Sequence, residues 1–212
     1  MSNKNKTVYI DREQPCLQNV AAAFFITDEE GKQVNIDFTG KTILSMPAKD
    51  KSEKVFEILA NKYDVHFIFN DNIPQIKFYP VPELVIFATD SLNGYFCSTN
   101  PNVNISEENS PIYYIDEKLN YYYLASSLQA FLSIIVFCPE WKEKLGLESI
   151  RILHYELNER EYLIDMLHLQ PVVFKPKDIK ETKKELIIYQ SIEEAKMVID
   201  FYDIQKEFDR LK

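Results

Sequence analysis

Residues 83–100 read ELVIFATDSLNGYFCSTN, and the reading of this stretch decides the fold. Leu84 to Ala88 carries no polar alternation, the composition of a strand buried on both faces or lying at the centre of a sheet. Tyr95 to Thr99 resumes as a second strand. Between them, TDSLNG contains Asn-Gly, a strong hairpin signal because both residues tolerate a positive φ. The polar knot of Asp90, Ser91, Asn93 and Gly94 is either a loop bearing chemistry at the mouth of a sheet or the turn joining two core strands.

Outward from this hairpin, the patterning predicts further elements. On the N-terminal side Val20, Ala22, Phe24 and Ile26 alternate, DEEGK (28–32) supplies a turn, and Val34, Ile36 and Phe38 alternate back. A helix is expected in DKSEKVFEILANKY (50–63), with Asp50 as cap and Glu53 at the capping-box position. VHFIFN (65–70) reads as a strand with Val65, Phe67 and Phe69 on one side and His66 facing solvent. Pro80 and Pro82 interrupt IKFYPVP (76–82), so any strand there is short or at an edge. PNVNISEENSP (101–111) is a polar loop, and PIYYID and YYYLA flank EKLN as a second hairpin. Ser126 or Ser127 caps a helix whose Leu128, Phe131, Leu132 and Ile135 share one face. Pro139 ends or kinks it, WKEKL adds a turn, and Gly146 is the stop.

From Leu147 onward the composition changes. A helix is expected over NEREYLIDMLHL (158–169) with Asn158 as cap, then short strands at PVVF and ELIIY on either side of the charged KPKDIKETKK (175–184). A long final helix is expected to be capped by Ser191, with Glu194 closing the box and Ala195, Val198, Ile199 and Tyr202 as its apolar stripe. Strands with few helices, without strict β-α alternation, point to an α+β fold. Residues 1–146 are read as one α+β domain and 147–212 as a C-terminal α/β extension packed on it.

The totals permit a sizeable core: 212 residues, 46% hydrophobic and 13% aromatic, so global disorder is excluded as a description. Only 4 Gly are present, too few for glycine-rich phosphate loops. The net charge of -9 is uneven: residues 64–139 hold 8 acidic and 2 basic side chains, a balance that repels phosphate backbones and favours a basic partner. Nucleic acid is therefore not expected as a partner, although Tyr121, Tyr122 and Tyr123 could stack on bases; alternating strand packing accounts for them. No apolar run approaches the length of a membrane span, and three widely spaced cysteines (Cys16, Cys97, Cys138) form no disulfide framework, which fits a reducing cytoplasm.

A search for chemistry returns little. His66, His154 and His168 lie outside any metal-ligand spacing, and no cofactor motif is present. Cys97 and Cys138 stand in no catalytic motif, and DSLNG is not the G-x-S-x-G elbow that exposes a serine nucleophile. Glu107 and Glu108 in a polar loop, and Asp116 and Glu117 at a hairpin tip, are carboxylates in wet settings, better suited to meeting a cationic surface than to acid–base work. No catalytic, cofactor or metal residue is assigned; these four acids are the expected partner-facing residues.

The segments LVIFATD, SLNG, YFCST, PIYYID and ASSLQAFL, in that order from Pro82 to Val136, resemble the SUKH superfamily of Smi/Knr-like proteins. The resemblance implies a central, mainly antiparallel sheet with flanking helices. It also implies a non-catalytic protein-binding role, as an immunity protein that neutralises a basic, nuclease-like bacterial toxin or as a regulatory scaffold. An enzyme using Cys97 or an acidic pair is the third alternative. On this reading Asp90 to Gly94 is a hairpin turn that positions core strands.

Overall fold

The structure is a computed structural model that describes residues 6–11, 26–27, 33–34, 36–100, 103, 108–149, 157–176, 186–199 and 201. It is mixed α+β, and its contacts divide into two compact units interleaved along the chain. One takes the described parts of 1–42, 76–84 and 186–212; the other takes those of 43–75 and 85–185. No helix among the described residues is long and apolar enough to cross a membrane.

The first unit contains strands β1 (Lys6–Asp11), β2 (Ile26–Thr27), β3 (Gln33–Val34) and β4 (Ile36–Ile43). β2 and β3 pair antiparallel, Ile26 opposite Val34, as the N-terminal hairpin reading predicts; its residues 20–24 and 28–32 lie outside the described residues. β1 and β4 pair parallel, Ile10 opposite Gly40. Gly40 is required there: its φ is +108° and a Cβ would collide with the Ile10 carbonyl. Lys41, 1% exposed, lies 3.5 Å from Asp11, donates to the carbonyls of Ile76 and Phe78, and stands 4.4 Å from the Tyr79 ring centroid.

The Ile76–Pro82 stretch yields only the three-residue β6 (Tyr79–Val81), which pairs antiparallel with the later β11 (Ile187–Tyr189). The described part of the final helix departs from expectation, while 200 and 202–212, Tyr202 included, lie outside the described residues. Ser191 caps it, accepting from the Glu194 amide at 3.1 Å, but helix α5 spans only Ile192–Met197. Ala195 is buried, whereas Val198 falls beyond the helix and is exposed. The backbone turns there, and Phe201 bridges in parallel to Thr7, a pairing that helix geometry cannot supply.

The second unit carries the main sheet, with neighbouring strands β5 (His66–Phe67), β7 (Leu84–Thr89), β8 (Tyr95–Ser98), β9 (Ile112–Ile115) and β10 (Tyr121–Ala125) all antiparallel. β7 is buried from Leu84 to Ala88, as its unbroken apolar run predicts. Both hairpins form where expected, with Asn93 and Leu119 at positive φ in the two turns. β5 is shorter than the six residues read as a strand: the Ile68 amide still donates to the Phe87 carbonyl of β7, but its carbonyl accepts the Met46 amide and Phe69 bridges to Met46.

Helices flank this sheet. Before α1 (Lys54–Tyr63) the chain makes a 3-10 turn over Ala48–Ser52, so Asp50 lies inside that turn. Glu53 occupies the cap position without a side-chain bond, and the expected capping box does not form. Helix α2 (Leu128–Phe137) starts as predicted, Ser127 accepting the Ala130 amide at 3.2 Å. Its Phe131 packs against Phe87 and Phe96 with ring centroids 6.1 and 5.1 Å apart, fixing the helix to the sheet. Helix α3 (Trp141–Lys144) ends in a Schellman motif: Gly146, at φ 71°, donates to Glu143 and Leu147 donates to Lys142, both at 2.9 Å. Helix α4 (Leu157–Leu167) includes Asn158 within it and buries Leu163.

Pro171–Phe174 is not a strand. The Cys138 thiol donates to the Val172 carbonyl at 3.2 Å and its sulfur accepts the Phe174 amide at 3.4 Å, so one side chain takes the place of a ladder partner.

Candidate functional site

The polar knot that opened the sequence reading lies in the densest group of buried charges in the second unit. Asp90 ends β7, and its Oδ1 accepts the amides of Leu92 at 2.9 Å and Gly94 at 2.6 Å, which closes the turn. Its Oδ2 accepts the Tyr114 hydroxyl at 2.7 Å and the Lys142 ammonium at 2.7 Å. Lys142 also donates to Asp64 Oδ2 at 3.2 Å. Asp64 is placed by the end of α1, where it adopts a left-handed conformation (φ 55°) that aspartate tolerates better than most residues. Its Oδ1 accepts the Ser91 amide at 3.0 Å, the Ser91 hydroxyl, and His66 Nε2 at 3.1 Å. Four segments far apart in sequence thus meet on one ammonium, which is only 4% exposed.

Aromatic packing holds this ammonium in place. The rings of Tyr114 and Trp141 each stand 5.6 Å from Lys142 Nζ, within cation–π reach, and meet edge to face with centroids 5.2 Å apart. Gly94 is the residue that lets Tyr114 in: a Cβ there would collide with the Tyr114 ring and hydroxyl.

The electrostatics follow from this geometry. Burial opposes ionisation of Asp64, but hydrogen bonds from His66 and Ser91, with the Lys142 charge, hold its carboxyl well below the usual carboxylate range. Burial pushes the Tyr114 hydroxyl well above the ordinary phenol range, and its bond to the Asp90 carboxylate pushes it further. The Ser91 hydroxyl and His66 Nε2 both turn to Asp64, not to each other, which is not the geometry that activates a serine. The groups engage one another, and the arrangement acts as a staple.

Of the four acids expected to face a partner, three lie among the described residues. Glu107 lies outside the described residues. Glu108 and Glu117 are exposed and form no hydrogen bond or ion pair among the described residues. Asp116 corrects the expectation of a wet hairpin-tip carboxylate: it is 8% exposed, and its oxygens accept the amides of Lys118 and Asn120, the Asn120 side chain and the Tyr122 hydroxyl at 2.9 to 3.3 Å. It holds its own turn. Glu108 precedes β9 and Glu117 follows it, so that strand lies between them.

Cys97 is fully buried, and burial pushes its thiol well above the ordinary range. His66 is partly exposed, as read, though its ring is tied to Asp64. Sequence reasoning missed Lys142 because WKEKL reads only as an added turn; the one available signal was its position beside the sole tryptophan. No protein-family model, curated protein or solved structure matches this chain.

Proposed function

We propose that this chain is a non-catalytic protein-binding module, an immunity protein of SUKH type that covers a basic, nuclease-like bacterial toxin. The observation that carries the reading is the division of its carboxylates. Asp64, Asp90 and Asp116 are engaged inside the fold by fixed partners, while Glu108 and Glu117 stand exposed in a stretch holding 8 acidic and 2 basic residues. Exposed acids at either end of β9 suit fast, electrostatically steered association with a cationic surface. A partner contacting both Glu108 and Glu117 must span the length of β9.

The test is capture of a basic protein from the native source, followed by association kinetics with the Glu108→Lys/Glu117→Lys variant. A strongly slowed association with weaker salt dependence is the expected result. An association rate unchanged at low ionic strength removes both residues from the interface, and a captured partner that is acidic overturns the reading.

A further inference from the structure

A cavity of about 470 Å³ opens within the second unit, between α1, β7, α2 and the segment that precedes the 3-10 turn. Its floor is Leu59, Phe87 and Leu132, each at most 3% exposed, and its rim is Leu44, Met46 and Pro47, which reach solvent. This gradient from sealed floor to open rim makes it a pocket and not a flat apolar face. Ser45 is the single polar side chain in the lining, and no lining residue carries a charge. Part of the rim backbone is already engaged: the Leu44 amide donates to Ile86, the Met46 amide to Ile68, and the Met46 carbonyl accepts from Asn70, all at 2.8 to 2.9 Å.

Such walls select their occupant by chemistry. A charged group entering the pocket would lose its water with no compensating partner. Apolar cavities of about 150 Å³ stay dry and admit one benzene, so scaling by volume gives room for up to roughly eighteen carbons here. Lining atoms that face a void also forgo dispersion contacts, which an occupant restores.

We propose that this cavity binds an uncharged, hydrocarbon-like small molecule, a medium-length chain or a fused aromatic ring system. This site is independent of the carboxylates assigned to a protein partner, and its failure leaves that reading untouched.

The test titrates naphthalene into the full chain labelled at Leu, Val and Met methyl groups. The expected result is shifts of the Leu59, Leu132 and Met46 methyls together with a higher melting temperature. Naphthalene-2-sulfonate should bind about tenfold more weakly or worse. Met46→Trp narrows the rim and should weaken naphthalene by about tenfold or more; if that variant fails to fold, Val55→Phe is measured in its place. No methyl shift at aqueous saturation, shifts confined to methyls elsewhere, equal binding of the sulfonate, or undiminished binding to a folded variant each overturns the proposal.

Discussion

Replacing Lys142 by methionine removes the ammonium while keeping most of the volume of its side chain. At an effective dielectric near 20, its contacts with Asp64 and Asp90 at 3.2 and 2.7 Å correspond to about 5 and 6 kcal/mol of gross attraction. Desolvating the three charged groups offsets much of that. What the substitution leaves behind is decisive: two carboxylates, 6% and 7% exposed, without their cation. Breaking a buried pair in this way costs about 3–5 kcal/mol. Asp90 retains the Tyr114 hydroxyl and two turn amides, which places the expectation near the lower end of that range.

The effect depends on pH, with a definite sign. The folded-state pKa of Asp64 is depressed, so its contribution to stability is present above the unfolded-state value of about 4 and is lost as pH falls through the folded-state value. Without Lys142 one cause of the depression is gone and protonation moves upward. The stability gap between parent and variant therefore narrows from pH 7 to pH 3, below the unfolded-state value. Urea unfolding followed by fluorescence of Trp141, the only tryptophan and a neighbour of the cluster, measures the gap at both values. Combining the change with Asp64→Asn and Asp90→Asn should recover most of the loss. A gap below about 1 kcal/mol at pH 7, the scale of a surface pair, or one that stays constant on acidification, refutes the reasoning.

Gly94→Ala drives a methyl into the Tyr114 ring and should destabilise by about 1–3 kcal/mol in a thermal melt; a neutral outcome means that the close approach is absent. Cys97, fully buried with its thiol donating to the Tyr113 carbonyl and its pKa pushed upward, should resist alkylation at pH 8 in the native protein and react once urea unfolds it. Prompt native labelling of Cys97, located by mass spectrometry, contradicts this and revives a thiol-based activity.

Elements whose cues are local were legible in the sequence. The unbroken apolar run of β7, the Asn-Gly turn, the Ser127 cap and the Gly146 stop each rest on the preferences of a few adjacent residues, and each stands where it was read. The misreadings share a non-local cause. The final helix stops at Met197 because Phe201 finds a backbone partner in Thr7, almost two hundred positions away. Pro171–Phe174 has strand composition, yet its backbone groups bond to Cys138. Asp116 sits in a hairpin turn as expected, but periodicity could not reveal that the turn folds around its carboxylate. The staple was the least legible feature, since Asp64, Asp90, Tyr114 and Lys142 have no mutual spacing that a motif could record.

That staple also shapes how the second unit comes apart. Lys142 reaches back 78 positions to Asp64 and 52 to Asp90, so fraying of α3 would strip both carboxylates of their counter-charge at once. Backbone amides at the end of α1, in the β7–β8 turn and in α3 should consequently exchange hydrogen with solvent at one shared free energy, as a single cooperative block in place of three independent openings.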